Sequence, residues 1–484
     1  MRLFCAAAAL LASGAVAQPI TADQLRIHVE RLASDEFQGR GPATAAEPLT
    51  TSYIVAELSR RGVEPGAPGG GWLQQVALVE RRPIAHRTSW TVGGRAVRFD
   101  DRAITLIGAP GVQRVADAPL IFAGHGHSAQ IAGANLTGAI VLILVEPPDV
   151  PGFPSFERRA AAVEAAGAAA VIGIVGDDLP WQAIVQMARM GDTILDRPGG
   201  AIRGTIDASV VAELVAAGGG DFVAMLERQD GPAFRPAALP LRASLEVATS
   251  GRPYRSNNVV GRIRGTGGGA ENVLLLAHWD HLGLCRGEGE PDRICNGAVD
   301  NASGIASLIE IAGRLASGPR PVRDIYVLAT TAEEVGLRGA EHFAANPPAP
   351  IESFAAALNI DTVAIHPPGG PLAIIGEPDP ALDREITAAA AELGRTIDED
   401  EDAGAFNRRQ DGWALSEAGV PAALVSGAFS DMALMRRYVA EPYHGPDDEY
   451  RADLPLDGAA EDADFLVALA RRLADPARFP LRQR

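Results

Sequence analysis

Six side chains of the kinds that bind divalent cations, His278, Asp300, Glu333, Glu334, Asp361 and His444, are spread over the second half of the chain, and most stand where an apolar run stops. Val273 to Ala277 ends in His278-Trp279-Asp280-His281, Ile325 to Ala329 is followed by Thr330-Thr331-Ala332-Glu333-Glu334, and Phe354 to Ile360 ends at Asp361. Imidazole and carboxylate are ligands that zinc takes. A mononuclear site needs three protein ligands, so six candidates suit a pair of metals roughly 3.5 to 4 Å apart that share a carboxylate and a hydroxide. Singly, each residue has an ordinary structural reading: a hydrogen-bonded edge histidine, a helix-capping aspartate, a pair of solvated glutamates. Their joint occurrence points to chemistry.

The elements that must bring them together follow from the same stretch. Gly297-Ala298-Val299-Asp300-Asn301-Ala302-Ser303-Gly304 precedes Ile305, Leu308, Ile309 and Ala312, whose spacing predicts a helix with one apolar face and puts Asp300 at its mouth. Apolar runs that alternate with helices read as an α/β fold whose sheet is mostly parallel and buried on both faces. Ligands bind such sheets at the carboxyl ends of the strands, where His278, Glu333, Glu334 and Asp361 fall.

With 484 residues, two domains are expected. The formal net charge of -18 argues against nucleic acid and anionic membranes as partners, since both need clustered Lys and Arg. Arg2, the apolar Leu3 to Leu11 and Ala15-Val16-Ala17 read as a signal peptide spanning 1–17, cleaved near Ala17, so a secreted, periplasmic chain is expected. No later apolar run approaches about 20 residues, so no stable membrane insertion is expected. Once Cys5 leaves with the signal, Cys285 and Cys295 remain, and an oxidising compartment would let them pair.

Helical spacing is expected near Ile20 to Leu32, Tyr53 to Leu58, Leu382 to Leu393 and Asp464 to Leu473. Residues 75 to 105 alternate weakly, and Asn257 to Ile263 reads as a strand. Between them, Leu120 to Ala123, Ala139 to Val145 and Ala168 to Val175, with an Ala-rich helix from Arg158 to Ala166, suggest a small α/β module. The expected organisation is 18–110 and 241–484 for the main domain and 111–240 for the insertion.

His278-x-Asp280, Gly297-x-x-Asp300-Asn301-x-Ser303-Gly304, Glu333-Glu334-x-Gly336-Leu337-x-Gly339, Asn359-x-Asp361 and Tyr443-His444-x-Pro446-x-Asp448 resemble, in order, the signatures of the secreted di-zinc aminopeptidases, a family that also holds the glutamate carboxypeptidases. Leu32-Ala33-Ser34-Asp35-Glu36-Phe37-Gln38-Gly39-Arg40 is similar to that family's amino-terminal segment, and the inserted module to a protease-associated domain. The resemblance implies two Zn2+ per chain, with His278 and Asp361 on one, Glu334 and His444 on the other, and Asp300 bridging. It implies that Glu333 is the general base for a zinc-bridging hydroxide, that Asp280 hydrogen-bonds the far nitrogen of His278, and that the Asp300-Asn301 bond is cis. His281 and His342 are given no metal by the family pattern, and His125 and His127, whose spacing could bind one, read as loop residues of the inserted module. One departure stands out: Gln410-Asp411-Gly412 replaces the family's Ser-Asp-His.

The implied activity is that of a metallopeptidase removing amino-terminal residues from peptides. A carboxypeptidase on the same scaffold is the alternative, for which Arg408, Arg409, Arg436 and Arg437 are available. A catalytically silent binding protein is disfavoured, because every ligand position and the base are intact.

Overall fold

Ala422–Ser426, Phe354–Asn359, Asn272–His278 and Asp324–Thr330 lie side by side as parallel strands in that order, with every residue buried. Burial on both faces explains why their sequences are continuous apolar runs without alternation. Register aligns His278 with Thr330 and Leu276 with Asn359, so the polar residues after each run emerge along one edge. Antiparallel strands flank this block: Ala373–Gly376 on one side, and the end of Ala237–Ile263 on the other. The fold is the expected mixed α/β sheet with helices on both faces. The computed structural model describes residues 18–481 except 149, 151–152, 177–179, 198, 230, 232–233 and 399–401. The signal peptide expected at 1–17 lies outside the described residues.

On one face, Val273, Leu275 and Ala277 pack with Ile305, Leu308 and Ile309 of the helix Gly304–Ser317, and with residues of Ala22–Leu32 and Leu456–Leu473. Leu274, Leu276 and Leu328 point the other way, towards Ala340 and Phe343 of Arg338–Ala345 and Leu415 of Gly412–Glu417. Burying each such aliphatic side chain contributes about 1.5–3 kcal/mol. The amino-terminal helices dock through a polar knot as well: Glu310 meets His28 Nε2 at 3.1 Å and Gln24 Nε2 at 3.2 Å, and is ion-paired to Arg61.

The weakly patterned stretch from residue 75 onward is a long strand, Leu73–Val92, paired antiparallel along Ala237–Ile263 from Leu241 to Val259. Asn257 to Ile263 was legible because it joins the buried sheet; the rest of this 27-residue strand alternates buried and exposed positions and is held by a partner distant in the chain. Its first part also pairs with Gly111–Phe122, so one strand runs from the main sheet into a smaller one. There Gly111–Phe122, Ile140–Leu144, Ala170–Val175 and Ile202–Asp207 are parallel, with Ile104–Ile107 antiparallel at the edge. Trp90, Ile104 and Leu106 belong to this smaller layer's core. A short strand beyond it, Asp192–Leu195, pairs antiparallel with Leu78 to Arg81, and its Leu195 packs with Val76, Leu78 and Ala332. Cys285 and Cys295 are disulfide-bonded. Among the described residues no single helix is long and apolar enough to cross a membrane.

Candidate metal centre

His278 closes its strand, and its ring, 1 % exposed, faces the turn Ala298–Ser303. Its Nε2 lies 3.1 Å from Asp300 Oδ1 and 3.5 Å from Asp361 Oδ1. The other oxygen of Asp300 lies 3.4 Å from His444 Nε2, which is 2.9 Å from Glu334 Oε2. Asp300 therefore stands between two histidines, each with a further carboxylate. Thr362 Oγ1 donates to Asp361 Oδ1 at 2.8 Å.

The Asp300 turn is held from three directions. Asp448 accepts hydrogen bonds from Val299 N and Asp300 N at 2.9 and 3.0 Å, and from the Tyr438 hydroxyl at 3.0 Å. Asn301 donates to the Ile360 carbonyl at 3.0 Å, and its Oδ1 accepts from Gly304 N and Thr362 N, tying the turn to the Asp361 loop. The Asp300-Asn301 bond is cis. At Gly297 (φ 59°) an added Cβ would fall 2.6 Å from the His281 ring, so only glycine lets the turn approach this closely.

Two details depart from expectation. The Asp280 carboxylate does not hold the far nitrogen of His278: its Oδ1 is 3.9 Å from Nδ1, which meets the Asp280 backbone carbonyl at 3.1 Å instead. The short chain from residue 278 to 280 turns that carbonyl inward, and the Asp280 carboxylate accepts from Glu333 N at 3.2 Å. His281, which the resemblance gives no metal, is fully buried against the centre, with Nδ1 2.5 Å from Glu334 Oε1 and 3.9 Å from Asp300 Oδ2. Its position after a ligand and a turn carried the signal only by adjacency.

Asp280, Asp300, Glu333, Glu334, Asp361 and Asp411 crowd three imidazoles. Burial pushes the Asp300 carboxyl up, but the His278, His444 and His281 rings outweigh it and hold it below the usual carboxylate range. The Glu333 carboxyl is driven well above that range by burial and by the negative charges of Glu334, Asp411 and Asp361. Burial raises Asp280 to about 8 and Asp411 to about 6, partly countered by the positive charge of His278. For His444, burial works downward, yet Asp300 and Glu334 lift it to about 9.

These residues fit divalent zinc. His278, Asp300 and Asp361 bring one ligand atom each within 4.8 Å of one another, and so do His281, Asp300 and Glu334. Among the described residues, His444 Nε2 has no hydrogen-bond partner despite its approach to Glu334, and the buried His281 Nε2, Asp280 Oδ2 and Asp411 Oδ1 have none. Buried ligand atoms without hydrogen-bond partners, in a surplus of buried carboxylates, are what a shared cation satisfies. The cleft above is lined by Thr362, Arg409 and Tyr443, with an apolar wall of Phe406, Leu424, Phe429, Met435 and Val439.

Residues 258–469 match the profile of peptidase family M28. Over 94 residues, 19% of the chain, the sequence is 33% identical to the vacuolar membrane protease of Candida tropicalis, and the match spans 9% of that relative's length. Over 436 residues, 84% of this chain and 74% of the relative, it is 24% identical to the "Probable lipoprotein aminopeptidase LpqL" of Mycobacterium tuberculosis. Among solved structures, an aminopeptidase from Aneurinibacillus sp. strain AM-1 shares 18% identity over 96% of this chain and 97% of its own, with a TM-score of 0.48. BSAP, a zinc aminopeptidase from Bacillus subtilis, shares 19% over 93% and 94%, with a TM-score of 0.45. All five candidate metal ligands and the adjacent Glu333 lie inside the span 258–469 that matches the peptidase family M28 profile.

Proposed function

We propose that the protein is a zinc-dependent aminopeptidase holding two zinc ions. The observation that carries this reading is Asp300, whose two carboxylate oxygens face His278 on one side and His444 on the other. His278 and Asp361 would hold one ion, Glu334 and His444 the other, and Asp300 both. Bound zinc would supply Lewis acidity to a peptide carbonyl and lower the pKa of a water.

The chain's own groups do the rest. Glu333 borders the cleft beside these ligands, and its carboxylate takes a proton from the attacking water and passes it to the leaving amine. Its backbone N–H is anchored on Asp280, which fixes where that carboxylate starts. Asp448 and Asn301 keep the Asp300 turn in place while charge shifts around it. The carboxylate-rich floor favours a substrate's free ammonium, which supports amino-terminal cleavage. The smaller layer is read as an inserted protease-associated domain, and the chain as exported, a reading supported by the Cys285-Cys295 disulfide.

A second reading, carboxypeptidase, is favoured by one feature. Arg409 lines the cleft, and among the described residues it has no carboxylate partner; its guanidinium lies over the Phe406 and Tyr443 rings. Such a group binds a terminal carboxylate well. The deciding assay compares a peptide with a free amine and amidated carboxyl end with its counterpart carrying an acetylated amine and free carboxylate. Chelator-sensitive, zinc-restored cleavage of the first is expected. Cleavage of only the second would overturn the aminopeptidase reading and keep the metal centre.

A further inference from the structure

Arg40 lies far upstream of the matched M28 span, yet its side chain ends beneath the metal centre. The residue is 1% exposed. Its guanidinium donates to four carbonyl oxygens: Nε to Trp279 at 2.9 Å, Nη1 to Leu32 at 2.8 Å and Asn296 at 2.6 Å, and Nη2 to Gly297 at 2.7 Å. Trp279 sits between His278 and Asp280, and Gly297 opens the turn that presents Asp300. One planar fork thus spans the two loops that supply ligands to both halves of the centre, and fastens them to the end of the helix Ala22–Leu32.

Nothing in this arrangement resembles an ordinary ion pair. Among the described residues no carboxylate lies within ion-pair distance of Arg40, although Asp448, Asp300, Asp280 and Glu334 all bear on it electrostatically. Its backbone takes part too, since the Arg40 carbonyl accepts from His281 N at 3.4 Å. The preceding Gly39 packs flush against the disulfide-closed hairpin: a Cβ there would fall 2.3 Å from the Cys295 carbonyl and 2.7 Å from that of Gly283. The turn Asp35–Arg40 is therefore wedged where it can only aim this guanidinium at the two loops.

We propose that Arg40 is a positioning residue of the metal centre: its guanidinium sets the separation of the His278-His281 loop from the Asp300 turn, and thereby the affinity for zinc. This rests on the reading of the centre as zinc-binding. A lysine would keep the charge but cannot reach four carbonyls in one plane.

The test uses the full mature chain with Arg40→Ala, Arg40→Lys and, as a control, Arg323→Ala. Arg323 is equally buried but bonds the Leu473 carbonyl and Glu271 at the opposite end of the sheet. Zinc affinity is read by competition with a chromophoric chelator, and ligand geometry by the visible spectrum of the cobalt-substituted protein. Both Arg40 variants should bind zinc roughly 10- to 100-fold more weakly, with altered cobalt bands, and added guanidinium ion should restore Arg40→Ala towards the parent. Arg323→Ala should lose thermal stability but keep zinc affinity and cobalt bands. If Arg40→Ala does not fold, Arg40→Lys decides alone. Zinc binding by the Arg40 variants within twofold of the parent, or an equal loss in Arg323→Ala, overturns the proposal and leaves the zinc site standing. Failure of the parent to bind zinc overturns both.

Discussion

Glu333→Gln separates proton transfer from metal binding, because glutamine keeps the shape of the side chain and its backbone N–H to Asp280 but cannot accept the proton. Loss of a positioned general base costs about 10²- to 10⁴-fold in turnover, which at 1.36 kcal/mol per decade is about 2.7–5.4 kcal/mol of barrier. The substitution should also act on the metal-free protein. Folding raises the Glu333 carboxyl, first by burial and then by Glu334, Asp411 and Asp361, so its ionised form is disfavoured in the fold. A carboxyl raised by folding costs stability as pH climbs above the ordinary carboxylate range. Glutamine removes that cost, so metal-free Glu333→Gln should melt higher than the metal-free parent at neutral pH. Glu334→Ala should behave oppositely, losing metal, because Glu334 stands against both His281 and His444. The assays are metal per chain by elemental analysis, turnover of a free-amine peptide, and melting with and without chelator. A metal-depleted Glu333→Gln, or one with turnover within tenfold of the parent, would refute the assignment of roles.

His281→Ala should weaken zinc binding by roughly tenfold through loss of the contact that orients Glu334, with chelator competition as the measurement; unchanged affinity would show that contact to be idle. Chelation should lower the melting temperature, since a ligand held at 100 times its Kd stabilises by about 2.7 kcal/mol, and readdition of zinc should restore it. Glu310→Gln should destabilise the fold by less than the about 3–5 kcal/mol of a fully buried broken pair, because Arg61 is 24% exposed, and denaturant melts would report it. Burial raises the Glu310 carboxyl, but His28 and Arg61 hold it below its ordinary value. Its stabilising contribution is therefore present above the ordinary carboxylate range and fades as pH falls towards the lowered value, a dependence Glu310→Gln should lack.

The parallel strands were legible because a strand buried on both faces must be apolar throughout, and a sheet of such strands must deliver its polar successors to one edge. The same logic marks His278, Glu333, Glu334 and Asp361 from the sequence alone. The long pairing of Leu73–Val92 with Ala237–Ile263 was not legible, because both segments are half exposed and each is stabilised by the other across the whole smaller layer. The end of the last helix was legible and its start was not: it begins at Leu456, where Gly458, Ala459 and Ala460 are buried by small size and leave no strong periodic signal.

By itself, the order of residues determined which groups can bind metal and which stretches must be buried, since both depend on side-chain chemistry and local spacing. Only the tertiary structure decided how those groups share the work. That Asp280 serves the Glu333 backbone and not the His278 ring, that His281 faces Glu334, and that Arg40 reaches Trp279, Asn296 and Gly297 all depend on where loop carbonyls and side chains point once distant segments pack. A hydrogen bond requires a distance and an angle, and neither is encoded in the spacing of residues along the chain.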